Sequence, residues 1–320
     1  MWRDLTLDLI LATLRLVLMW EVFSMRRALV ILAIALVFAC GPTGAPASTQ
    51  TATQGLAVLG TENFYADLLA QIGGTRVTVS SILNDPSTDP HEYEASPQTA
   101  KLVADAKLVI VNGFGYDAFM DRLLGASTKP ERVVLNVQDI LKRPADDNAH
   151  VWYDPTTMPQ VAGAATAALS RLDPEGASYF AARQQMYLGG LKPIDDRIAA
   201  LNAKYGGASV AFTEPVAEYQ TDAIGLVVLT PVGFMTAIEQ GVDPAPADVA
   251  AERDLLTGRR VKVLLYNSQV TSPLTKEIHD LAVTSGVPVV GVAETIPPQS
   301  KTYQAWMLSQ LAELESALAK

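Results

Sequence analysis

Cysteine is almost missing from this chain: among 320 residues only Cys40 carries a thiol. A single thiol permits no intrachain disulfide and no cysteine-rich zinc site. Histidine is nearly as scarce, at His91, His150 and His279. Basic residues are outnumbered, with 24 Lys+Arg against 34 Asp+Glu and a formal net charge of -10. That balance argues against nucleic acid, which requires a basic face to neutralise phosphates. No H-E-x-x-H and no G-x-S-x-G pattern occurs, so the common signatures of zinc proteases and serine hydrolases are lacking. Past the N-terminal region no run is long and apolar enough to span a bilayer. What remains is ample core material: 49% of residues are apolar, enough to exclude wholesale disorder.

The lone cysteine has a context. Met25-Arg26-Arg27 is a short basic start, residues 28–39 are an unbroken apolar run, and the run ends in Val37-Phe38-Ala39-Cys40. This is the order of a signal peptide, and the last four residues resemble a bacterial lipobox whose cysteine is lipidated. Phe38 is bulkier than the residue usual there. Residues 1–40 are therefore read as signal peptide and lipobox, with Met25 the natural start and residues 1–24 an upstream extension. Residues 41–54, rich in Gly, Pro, Thr, Ser and Gln, read as a flexible tether. The expected location is extracytoplasmic, lipid-anchored to the cell membrane through Cys40.

Beyond the tether, short apolar runs alternate with helical patterns. Residues 56–60, 76–83, 108–112 and 132–137 read as strands, with helices at 62–72, 97–106, 117–124 and 155–172. The alternation resumes with strands at 208–213, 261–266 and 287–292 and helices at 272–284 and 301–319. Such alternation implies βα units and a mostly parallel sheet. Residues 174–205 form one long helical stretch, which Gly189-Gly190 and Pro193 should weaken or kink. The fold class is α/β: two lobes, residues 55–172 and 206–320, each a central sheet flanked by helices, joined by a linker helix within residues 173–205. Ligands in such sheets sit outside the carboxyl ends of the strands, and a cleft between lobes is the default site.

Two histidines fall in loops at those ends. His91 lies in Asp89-Pro90-His91-Glu92-Tyr93-Glu94, and His150 in Asn148-Ala149-His150-Val151-Trp152-Tyr153. A neutral imidazole is the commonest protein metal ligand, although a lone histidine is more often a capped surface residue. His279, between Lys276 and Asp280, reads as part of a solvated helix face. With the thiol assigned to the lipobox, further donors must be carboxylates. Glu214 closes the strand at 208–213 and Glu294 follows the strand at 287–292. Each could instead be a helix N-terminal charge.

At this point a resemblance becomes specific. From about residue 55 to 319 the chain resembles the metal-binding subunits of zinc/manganese ABC importers. The likeness is carried by Asp89-Pro90-His91-Glu92-Tyr93-Glu94, His150-Val151-Trp152, Ser285-Gly286-Val287-Pro288-Val289-Val290, and Thr302-Tyr303 followed by Trp306-Met307. It implies two lobes bridged by a rigid helix, with His91 and His150 as first-lobe ligands, Glu214 third, and Glu294 near the place of the last carboxylate. The chain departs from the pattern in three places. Pro215-Val216-Ala217-Glu218-Tyr219 replaces an aromatic segment and makes Glu218 a rival third ligand. Asn267 stands for a common acidic residue. The histidine-rich loop of many zinc importers is absent between Gly115 and His150.

Two imidazoles and two carboxylates form an oxygen-rich set that favours Mn(II), with Zn(II) close behind on intrinsic affinity. The resulting expectation is a monomeric carrier without turnover. It captures Mn2+ or Zn2+ as transported ligand and delivers it to an ABC permease with its ATPase. A metal-dependent hydrolase and a surface adhesin of the same fold are the rival readings.

Overall fold

The structure is a computed structural model, and it describes residues 55–86 and 93–320. The signal peptide, Cys40, the tether and His91 lie outside the described residues. Both lobes belong to one unit of the chain, Gln54–Lys320.

The first lobe runs β1 (Leu56–Glu62), α1 (Asn63–Gly73), β2 (Val77–Leu83), α2 (Pro97–Asp105), β3 (Leu108–Val111), α3 (Phe119–Ala126), β4 (Val133–Asn136), α4 (Val137–Leu141) and α5 (Thr157–Leu172). The linker is α6 (Ala177–Tyr205). The second lobe runs β5 (Ser209–Phe212), α7 (Glu218–Ile224), β6 (Val227–Val228), α8 (Val232–Glu239), α9 (Pro246–Thr257), β7 (Val263–Asn267), α10 (Pro273–Ser285), β8 (Val289–Val292) and α11 (Tyr303–Leu318). The two sheets are ordered β2-β1-β3-β4 and β6-β5-β7-β8, with every pairing parallel. Each sheet is thus the same doubly wound pattern. Its switch point lies between β1 and β3 in one lobe and between β5 and β7 in the other, where crevices form at the strand ends.

Local chemistry explains the elements. β3 is Leu-Val-Ile-Val with every residue buried, as a parallel strand covered on both faces requires. Serine and threonine cap one helix in each lobe in the same way. Ser96 accepts from Thr99 N at the start of α2, and Ser272 accepts from Thr275 N at the start of α10. Both are capping boxes with proline in the first turn, which satisfies amides the helix leaves unpaired.

The linker helix departs from expectation. It runs unbroken for 29 residues, through Gly189-Gly190 and Pro193, a length of roughly 43 Å at 1.5 Å per residue. Phe180, Tyr187, Leu191, Ile194, Ile198 and Leu201 bury one stripe against α1, α5 and α11. Packing of that stripe overrides the weak local propensity. The second lobe also holds α7, α8, α9 and the short β6, which the sequence pattern does not reveal.

The lobes are fastened at the site end. Asn63 donates through Nδ2 to the Ile296 carbonyl at 3.0 Å and accepts from Ile296 N at 2.8 Å. Tyr303 OH donates to the Trp152 carbonyl at 2.6 Å, and Tyr153 OH donates to Gln310 Oε1 at 2.6 Å. Beneath them Phe64 stacks on Trp152 with centroids 4.7 Å apart, and the His150 ring meets Trp152 edge-on at 5.1 Å.

Candidate metal centre

His150 sits immediately before a turn at Val151–Tyr153, and its side chain is fully buried. Its Nδ1 lies 2.7 Å from Asn148 Oδ1, which also accepts from His150 N at 2.9 Å. The roles are fixed by the other end of the Asn148 amide. Nδ2 donates to the Pro215 carbonyl at 2.8 Å and to Glu218 Oε2 at 3.0 Å. A backbone carbonyl only accepts, so Oδ1 must face the ring and Nδ1 must donate. In a neutral imidazole that leaves Nε2 as a lone pair. Nε2 faces Glu294 Oε2 at 3.2 Å, an arrangement that calls for a proton or a cation between two electron-rich atoms.

Glu294 is also fully buried. Tyr116 OH donates to its Oε2 at 2.9 Å, and Asn267 Nδ2 donates to its Oε1 at 2.7 Å. Its backbone N–H donates to Gln269 Oε1 at 2.6 Å. Asn267 spends its second amide hydrogen on Glu214 Oε2 at 3.0 Å, while its own Oδ1 accepts from Gln269 N at 3.0 Å. Glu214 follows directly on β5 and is fully buried. Glu214 and Glu294 are therefore held one amide apart.

Hydrogen bonds connect three of the four sequence-derived candidates: His150 Nε2 lies 3.2 Å from Glu294 Oε2, and Asn267 bonds both Glu294 and Glu214. Among the described residues no three His, Cys, Asp or Glu side chains gather closely enough to enclose an ion by themselves. The remaining donor, His91, lies outside the described residues. Glu218 is spoken for by Asn148 at the first turn of α7. His279 is on the surface of α10 beside Asp280, at 3.1 Å. Sequence reasoning did not assign roles to Asn148, Tyr116 and Gln269, and it met Asn267 only as a departure from the resemblance. Asn148 is two residues from His150, the spacing of a side chain that caps its own loop. Tyr116 and Gln269 carry no local signal.

A groove of about 610 Å3 opens beside the pair, lined by Phe114, Tyr116, Asn148, Glu218, Met235 and Glu239 among others. Glu239 Oε1 reaches to 3.8 Å from His150 Nδ1, so the approach is acidic and suits an incoming cation.

Residues 58–317 match the family model described as zinc-uptake complex component A, periplasmic. The chain belongs to that family. The manganese-binding lipoprotein MntA of Bacillus subtilis is 26% identical over 286 residues, covering 86% of this chain and 90% of that protein. MntA of Halalkalibacterium halodurans is 28% identical over 172 residues, which is 53% of this chain and 57% of that protein. Among solved structures, the periplasmic zinc-binding protein TroA of Treponema pallidum superposes with a TM-score of 0.70 at 19% identity, covering 82% of this chain and 99% of that one. The solute-binding protein FpvC of Pseudomonas aeruginosa, in complex with Mn2+, gives 0.69 at 21% identity, covering 83% and 99%. Membership makes the chain a divalent-metal solute-binding protein of an ABC importer and not an enzyme, which sets aside the hydrolase reading. Among the described residues no helix is long and apolar enough to cross a membrane.

Proposed function

We propose that this member of the zinc-uptake complex component A family captures Mn(II) in preference to Zn(II) and passes it to its permease. His91, His150, Glu214 and Glu294 are the donors in this reading, and Cys40 bears the lipid that holds the protein at the outer face of the membrane. The observation that carries the reading is the opposition of His150 Nε2 and Glu294 Oε2 at 3.2 Å, with Nδ1 committed to Asn148. An imidazole whose far nitrogen is held by a hydrogen bond is the usual posture of a metal-bound histidine. The oxygen-rich set supports manganese, because carboxylates suit Mn(II) and can raise coordination above the four that zinc prefers.

The test is isothermal titration of chelator-stripped protein with each ion. His91→Ala is expected to weaken binding by about 100-fold or more while leaving the circular dichroism spectrum intact. Unchanged affinity in that variant would remove His91 from the site. Elemental analysis of protein purified without chelators, followed by Mn(II)/Zn(II) competition, tests the preference. The anchor is tested separately: Cys40→Ala should move the protein from the membrane fraction to the soluble one.

A further inference from the structure

The two lobes end their central strands in the same way. β1 closes with Gly60-Thr61-Glu62, and β5 runs into Phe212-Thr213-Glu214. The neighbouring strands β3 and β7 lead into Asn112 and Asn267. The registers coincide: Gly60 pairs with Ile110 and Phe212 with Leu265. Carried two residues further, Glu62 stands opposite Asn112 as Glu214 stands opposite Asn267. The threonines lock both ends, with Thr61 Oγ1 donating to the Ile110 carbonyl at 2.9 Å and Thr213 Oγ1 accepting from Asn267 N at 3.0 Å.

The acids differ in their surroundings. Asn267 turns its amide to Glu214. Asn112 turns its amide to the Ala149 carbonyl at 2.9 Å, and its Oδ1 accepts from Tyr65 OH at 2.7 Å. Glu62 is fully buried, and neither carboxylate oxygen has a hydrogen-bond partner on another residue, its own backbone amide alone lowering its carboxyl somewhat. Although it precedes α1, its side chain does not cap that helix. The nearby Asp117, by contrast, accepts from Asn112 N at 2.8 Å and Gly113 N at 3.0 Å. Burial pushes the Glu62 carboxyl well above its ordinary range, and Asp117 pushes it further. Glu62 in turn acts on Tyr116, the residue bonded to Glu294. Its neighbour Asn63 is tied by two bonds to Ile296, two residues past Glu294. A buried carboxylate without a hydrogen-bond donor is strongly disfavoured unless it meets a proton or a cation.

We propose that Glu62 is a further donor to the captured cation, the first-lobe counterpart of Glu214. The inference rests on the metal-capture reading. A third carboxylate raises the coordination available above four and so favours Mn(II) over Zn(II).

The experiment compares chelator-stripped wild type with Glu62→Gln, using calorimetric titration with Mn(II) and with Zn(II) and electron paramagnetic resonance of the Mn(II) complexes. The variant should lose about tenfold or more in Mn(II) affinity, lose less for Zn(II), and give an altered Mn(II) spectrum. Affinity within about twofold of wild type together with an unchanged spectrum would overturn the role of Glu62 and leave metal capture standing. If wild type itself binds neither ion, the metal reading falls and this inference with it. Should the variant fail to fold, a crystal structure of Mn(II)-loaded wild type decides: a Glu62 oxygen in the inner shell of the ion upholds the assignment, and Glu62 outside that shell overturns it.

Discussion

Asn148 does several things with one amide. It fixes the His150 tautomer, and through Pro215 and Glu218 it reaches the second lobe. Replacing it with alanine should leave the ligand set intact yet lower metal affinity by about 10- to 100-fold, the usual cost of losing a partner behind a ligand. Titration of Asn148→Ala checks this, and wild-type affinity would show that Nδ1 needs no acceptor there. A second prediction concerns Glu252 on α9, whose carboxyl burial pushes up to about 7. The hydroxyl of Thr230 offsets part of that effect without reaching hydrogen-bond geometry. A carboxyl raised in the folded state gives stability that is complete below its unfolded value of about 4.3 and is lost as pH rises through about 7. Wild type should therefore lose stability between roughly pH 4.5 and 7.5 relative to Glu252→Gln. Denaturant midpoints of the two proteins should diverge toward pH 8 and converge toward pH 5; parallel curves would contradict the shift.

Individual elements show what a sequence can and cannot disclose. β3 and the capped helices α2 and α10 are legible because their signals are local: a short apolar run, or serine and threonine three residues apart around a proline. The region from 218 to 257 is not. α9 begins in Pro-Ala-Asp-Val-Ala-Ala and buries only Glu252, Leu255 and Leu256, so no apolar stripe marks it. α6 misleads in the other direction, because Gly189, Gly190 and Pro193 argue for a break that tertiary packing prevents. Of the proposed site, His150, Glu214 and Glu294 are legible as donor-type residues in loops and at strand ends. Glu62 is not, since Thr-Glu before a helix reads first as a helix start; the repeated Thr-Glu of β1 and β5 was the available signal. Close packing at the end of β1 can also be tested. A Cβ on Gly60 would lie 2.2 Å from Ala66 N in α1, with backbone rather than a flexible side chain in the way. Gly60→Ala should cost about 2–3 kcal/mol, at the upper end for overpacking, and displace the start of α1, which follows directly on Glu62. A chemical-denaturation midpoint equal to wild type would show that the strand and helix separate freely.

At the scale of the whole molecule, two copies of one sheet pattern aim their strand ends at each other. In the proposed reading the first lobe provides His150 and the ends of β5 and β8 provide Glu214 and Glu294. Because α6 and α11 brace both lobes, capture calls for adjustment of side chains and loops more than for refolding. An ion that binds the native state alone should raise the melting temperature in proportion to the logarithm of its concentration, with about 2.7 kcal/mol of stabilisation at 100 times Kd. Scanning calorimetry across a Mn(II) series measures this, and a melting temperature indifferent to metal would mean that the buried acids serve another purpose.

The central claim is that the imidazole of the first lobe and the acids of the second share one ion. Calorimetric titration of chelator-stripped wild type and His150→Ala with Mn(II) and Zn(II) tests it most directly. The account predicts one ion per wild-type chain and binding weakened by about 100-fold or more in the variant. Saturable binding of equal strength in both proteins, or more than one equivalent tight site in the wild type, would contradict it.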